Sequence, residues 1–314
     1  MVRKSSGRTG FVVAGLGFGL AGGLLLGTLV LAPVLDGPTA DEEQTVSQAE
    51  HEALRTDAER ADAQVAAADD IVTQLSPPVV AGALEGRPVL VLHTHDAEPG
   101  DVDGLGELLG AAGAIDAGRI RLEESFFNQD GADQLASVVA NTLPAGTQLA
   151  EDNPGPGTHA GQALGAALLL NPETAQEQAT AEERALLLGT LRDSGFLSYE
   201  DGTVLPAQVV VLLLGEGEAT ADTFTPRSVV SFTRALDARG NGVVLTGPET
   251  TAREGGAIDL LRTDETAAAE VSTVDSLGQS WGRLATVLAL REQLEGGAGA
   301  YGPTPSAQAV APGF

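Results

Sequence analysis

The first apolar positions of the chain form one unbroken block. Phe11 to Leu35, FVVAGLGFGLAGGLLLGTLVLAPVL, contains no charged residue. A helix needs about 20 apolar residues to cross the hydrocarbon of a bilayer, so residues 11–35 predict a transmembrane helix behind a short stub, residues 1–10. The pattern then turns polar and Ala-rich over residues 41–76. Within it Leu54, Ala58, Ala61, Val65, Ala68, Val72 and Leu75 recur at alternating intervals of four and three, the seam of a coiled coil. At about 1.5 Å per residue this stalk would extend about 54 Å, and Pro77-Pro78 is expected to end it.

Beyond the stalk, short continuous apolar runs alternate with amphipathic stretches. PVLVLHT (88–94), QVVVLLLG (208–215) and GVVLTG (242–247) read as strands apolar on both faces, with a further strand over 115–122 and an edge strand over 269–274. Helices are expected over 102–112, 131–143, 163–170, 181–191, 226–239 and 278–294. Strands of that kind separated by helices indicate an α/β domain with a mainly parallel sheet, over residues 84–295. Residues 296–314, rich in Gly, Pro, Ala and Ser, read as a flexible tail.

Charge orients this arrangement. Seventeen basic residues face 44 acidic ones, for a net charge of −27. Three of the basic ones, Arg3, Lys4 and Arg8, precede the apolar block, and every acid follows it. The positive-inside rule then places the N-terminus in the cytoplasm and the α/β domain outside the cell membrane, in the envelope. A cleaved signal peptide is the rival reading. It needs a shorter apolar stretch and a small-x-small site, and Pro33 follows Ala32 where that site would fall. So acidic an exterior disfavours nucleic acid, whose binding rests on Lys and Arg meeting phosphates. Membrane lipid, met through residues 11–35, is the expected surroundings of the anchor.

Gly15, Gly19, Gly23 and Gly27 fall on one face of the membrane helix, in three overlapping GxxxG steps that let backbones approach. With Leu54, Val65, Val72 and Leu75 of the stalk they outline the interface of a parallel homodimer; a lone stalk helix, or a helix packed on the following domain, is the alternative.

Candidate chemistry is sparse. There is no cysteine, and the one methionine is Met1, so the soft ligands of Cu(I) are missing. His93 and His95 end the first strand on one face and could meet one metal ion, but a metal site needs three or four ligands. After that strand Asp96, Glu98 and Asp101 stand where a nucleotide phosphate would need glycines, so no cofactor is expected. No H-E-x-x-H occurs and no G-x-S-x-G elbow is recognised, so no catalytic residue is assigned and an enzyme is not expected.

The last third of the domain reads Ser272-Thr273-Val274-Asp275, then Gly282, Leu288-Ala289-Leu290, Gly296, Gly299 and Tyr301-Gly302. With the basic stub, the membrane helix, the stalk and the GRPVLVL strand (86–92), this resembles the actinobacterial MctB copper transport envelope family, which includes SteB-like cell-separation proteins. The resemblance covers essentially the whole chain. It implies a role in copper transport or homeostasis, for which the His93 and His95 pair read from the first strand is the candidate contact. Its second implication is a dimeric scaffold in cell separation, partnering a cytoplasmic membrane-associated protein and an external peptidoglycan hydrolase. Physically, Ser272, Thr273 and Asp275 suit a turn and helix cap before the last helix, Gly282 suits close packing, and Tyr301-Gly302 suits docking of the tail on the sheet.

Overall fold

A computed structural model describes residues 40–151, 155–217 and 223–313. The predicted membrane helix, with Gly15, Gly19, Gly23 and Gly27, lies outside them. Among the described residues no helix is long and apolar enough to cross a membrane. Among the described residues the chain divides into two units, with the boundary after Ala63.

The stalk is helical, as its pattern predicts: α1 spans Ala40–Val80. It does not stop at Pro77-Pro78 but includes both prolines. Val80 and Leu84 just beyond them are fully buried, so packing of the last turn outweighs the lost hydrogen bonds that make proline a helix breaker.

Seven strands form one sheet. They are β1 Pro88–Thr94, β2 Ile115–Leu122, β3 Leu197–Tyr199, β4 Val209–Leu213, β5 Val243–Thr246, β6 Ser272–Val274 and β7 Ala300–Tyr301. Their order is β3-β2-β1-β4-β5-β6-β7. Every neighbouring pair is parallel except β2 with β3. The expected fold class, an α/β domain with a mainly parallel sheet, is therefore present. The apolar runs follow from it: Val209 to Leu213 is buried at all five positions because helices cover both faces.

Alternation along β1 sorts the two cores. Leu90 and Leu92, with Ile120, Leu122, Val210 and Leu212, point into one cluster. That side is covered by α3 Glu124–Phe127, α4 Ala132–Asn141, α5 Pro156–Leu168, α6 Ala181–Asp193, α7 Phe224–Asp237 and α8 Ala257–Thr263. Val89 and Val91, with Val209, Val211 and Val244, point into the other. There α2 Pro99–Ala111 and the last helix, α10 Ser280–Leu294, form the layer, α9 being the short Glu265–Glu270. The few aromatics are used together. Phe126, Phe127 and Phe232 meet edge to face with centroids 4.9–5.4 Å apart, a geometry worth about 0.5–1.5 kcal/mol per pair beyond burial.

Two expectations need correction. The strand predicted over 269–274 is not an edge: Ala269 and Glu270 belong to α9, and β6 lies between β5 and β7. Nor is the chain after residue 296 all loose. Ala300–Tyr301 closes the sheet as β7, and the backbone N–H of Gly302 donates to Ala309 and that of Gln308 to Ala300. The Gly/Pro-rich composition conceals a strand of two residues that has no periodicity of its own.

Candidate functional site

In an open α/β sheet, ligands bind beyond the carboxyl ends of strands where successive connections leave to opposite faces. Here that point lies between β1 and β4. After β1 the chain enters α2 on one face, and after β4 it enters α7 on the other. The two loops are stitched together. Thr94 Oγ1 accepts from the Gly215 N–H at 2.9 Å, and Asp96 Oδ2 accepts from the Gly217 N–H at 2.9 Å. Gly215 lies so close that a β-carbon there would meet the Asp96 carbonyl carbon at 2.3 Å. Burial works to raise the Asp96 carboxyl, but hydrogen bonds from Thr94 and Gly217, with His95 beside it, hold it below its ordinary value. The crevice is thus closed by an ionised acid, and phosphate would be repelled from it.

His93 and His95 flank this point. His93 pairs with Arg121 of β2 on one side and Leu213 of β4 on the other. Its Nδ1 lies 3.2 Å from the Thr94 carbonyl oxygen. Burial pushes its imidazole below the ordinary value, aided by Arg121 and Arg119. His95 stands 4.0 Å from Asp96, and Arg121 donates to its carbonyl oxygen at 3.1 Å. A neutral imidazole at His93 is a good copper donor, but Arg121 and Arg119 beside it oppose a cation. Among the described residues no group of three or more His, Cys, Asp or Glu side chains could hold a metal ion. The donors present do not fit a resident copper centre, which would need further ligands.

The densest polar arrangement lies instead at β6 and β7. Arg262, on α8, buries its guanidinium so that 3% of the side chain is exposed, against an Asp275 side chain at 0%. Its Nη1 donates to Asp275 Oδ2 at 2.7 Å and to Thr304 and Ser306, its Nε to Thr273 Oγ1 at 2.8 Å, and its Nη2 to the Tyr301 carbonyl at 2.8 Å. The Thr304 hydroxyl also donates to Asp275. Ser272 Oγ accepts from Gln293 Nε2 and the Gly299 N–H. Gly302, with φ of 139°, lies directly against Asp275, where any side chain would collide with Oδ1. Thr273, Asp275 and the Tyr301 carbonyl thus converge on one guanidinium that ties the tail to the sheet, while Gly302 makes room for Asp275 and Ser272 binds Gln293 and Gly299 instead. The motif residues do not cap the last helix as expected, because Ser272 and Thr273 lie in β6 and Asp275 faces Arg262. Arg262 escaped the sequence reading. An Arg beside Leu261 on a short helix gives no periodic signal, and only a buried Asp275 would have demanded it.

The start of α10 is held by a distant residue. Asp69 Oδ1 accepts from the Ser280 N–H at 2.7 Å and from its hydroxyl at 2.6 Å. The stalk thus supplies the cap that Gln279 at the helix start does not. Gly282 permits this turn, since a β-carbon would meet the Ser276 carbonyl oxygen at 1.8 Å. Gly278-Gln279-Ser280-Trp281-Gly282 does carry the G-x-S-x-G spacing that the sequence reading overlooked. The geometry is not a nucleophile elbow: Ser280 is 3% exposed, starts a regular helix without positive φ, and gives its hydroxyl to Asp69 rather than to a histidine.

The stalk seam points outward. Leu54, Val65 and Leu75 are 58%, 56% and 58% exposed, and Val72 is half-buried.

Residues 11–312 match the family described as "Copper transport outer membrane protein, MctB". Copper transporter MctB of Mycobacterium bovis and that of Mycobacterium tuberculosis are each 33% identical over 250 residues, covering 79% of this chain and 80% of theirs. Copper transporter MctB of Mycobacterium leprae is 33% identical over 235 residues, 73% of this chain and 74% of its own. With this match over residues 11–312 and relatives 33% identical over most of both chains, the chain belongs to the MctB family.

Proposed function

We propose that this chain is a non-enzymatic, membrane-anchored envelope protein that takes part in copper transport. The observation that carries the reading is the family match over residues 11–312, to relatives named copper transporters. The basic stub and apolar block support an anchor with the α/β domain outside. Among the described residues no set of three donors gathers at the two imidazoles, so the domain serves copper transport as a docking body. Copper is cargo met transiently at His93 and His95, not a resident group. Deleting the gene should change cell-associated copper and copper tolerance, and the intact chain should restore both. His93→Ala/His95→Ala restoring neither would support contact at that pair; full restoration would reject the contact and leave the docking role. No copper phenotype on deletion would reject the transport role.

A second reading is favoured by the exposed apolar seam of α1. In it the chain is a parallel homodimer whose stalk scaffolds a peptidoglycan hydrolase during cell separation. Deleting residues 41–76 should abolish hydrolase capture; capture that survives the deletion would reject it.

A further inference from the structure

Helix α7 packs between α5 on one side and α8 and α9 on the other. A groove of about 470 Å³ follows its open face. Arg227, Val230 and Arg234 of α7 form its floor, Thr158 of α5 one wall and Leu260 of α8 the other. The two arginines differ. Arg234 is neutralised: its Nη2 lies 3.1 Å from Glu270 and its Nη1 3.5 Å from Asp264. Arg227 is exposed and has no acidic partner among the described residues, although the chain has far more acids than bases. Thr158 adds an independent sign. It is 6% exposed, and its hydroxyl has no hydrogen-bond partner among the described residues. A buried, unsatisfied hydroxyl costs about 1–3 kcal/mol, a cost that a ligand acceptor would remove.

We propose that this groove binds a small amphiphilic carboxylate, its charged end met by Arg227 and Thr158 and its aliphatic part laid on Val230 and Leu260. A bare inorganic anion would leave the apolar lining unused, and a neutral alcohol would leave the guanidinium unpaired. The site lies on the helical layer over one face of the sheet, apart from the β1–β4 crevice, and does not depend on copper handling.

The test is calorimetric titration of the full chain with hexanoate, hexanol and inorganic phosphate. Hexanoate is expected to bind at least about tenfold more tightly than either control, about 1.4 kcal/mol. Arg227→Gln, at an exposed position, should weaken hexanoate about tenfold without changing the circular dichroism. Thr158→Val, which keeps the shape and removes the hydroxyl, should weaken it too. Absence of hexanoate binding, phosphate binding as tightly as hexanoate, or unchanged affinity in Arg227→Gln would each overturn the proposal.

Discussion

A carboxylate with no solvent exposure needs a counter-charge, and Asp275 has one in Arg262 at 2.7 Å. Removing one member of such a pair leaves an uncompensated buried charge, at a cost of about 3–5 kcal/mol. Arg262→Ala is therefore expected to lower the unfolding free energy by about that much in urea titrations and to expose residues 302–313 to protease. Arg262→Met with Asp275→Leu should recover much of the loss, because it removes both charges together. Asp237 carries a different consequence. Burial pushes its carboxyl up to about 7; the Val243 N–H opposes this, Glu270 adds to it and Arg234 opposes it. The folded state thus holds this proton more tightly than the unfolded chain. The group favours folding fully below about pH 4, and that contribution is lost as pH rises through about 7. Denaturant midpoints at pH 5 and pH 8 should show it as roughly 1–3 kcal/mol, and Asp237→Asn should flatten the difference. Neither role was legible from sequence. Asp275 stood out through the family motif, but its partner lies on another helix, and burial of Asp237 depends on the chain beyond it.

At the scale of elements, the long strands were legible because burial on both faces leaves an unbroken apolar run, as in Val209 to Leu213. The shortest, Leu197–Tyr199 and Ala300–Tyr301, were not, since two or three residues carry no period. The start of α5 was missed because Pro156, Gly157 and Gly161 read as loop. Those glycines have a packing role instead: a β-carbon at Gly161 would meet the Phe232 carbonyl at 2.5 Å and Ala235 Cβ at 2.8 Å. Gly157 and Gly161 let α5 and α7 approach backbone to backbone, and Gly165 admits the Arg239 side chain just beyond α7, the use of GxxxG expected only of the membrane helix. Gly161→Leu should therefore force the helices apart and destabilise the domain by about 1–3 kcal/mol, read as a lower melting temperature. The Asp69 cap predicts a local effect: Asp69→Ala should cost about 0.5–2 kcal/mol and raise amide exchange in residues 69–80 and the first turn of α10, with the sheet unchanged.

For the whole molecule, the open question is whether the stalk pairs with a second copy. Leu54, Val65 and Leu75 are too exposed to be explained by their own chain, and a heptad seam is the pattern that a second helix would cover. Three of the seven seam positions are alanine, so each buries little area, and attachment to a common membrane would raise the effective concentration. Charge works against pairing. Residues 41–76 hold ten acids, Asp41 to Asp70, and only Arg55 and Arg60, each already paired with an acid of its own helix. In a parallel pair Asp57 of one copy would face Asp62 of the other across the seam, a like-charge contact. A self-dimer should therefore tighten as salt rises, because screening weakens that repulsion while leaving apolar burial intact. Sedimentation of the full chain at about 0.05 and 0.5 M salt, where the screening length shortens several-fold, should show more dimer at the higher value. Leu54→Glu/Leu75→Glu should give monomer at both, with the helical signal largely retained. If salt instead dissolves the association, charge attraction and not the apolar seam holds the copies together; if those substitutions leave the mass unchanged, pairing does not run through the stalk at all.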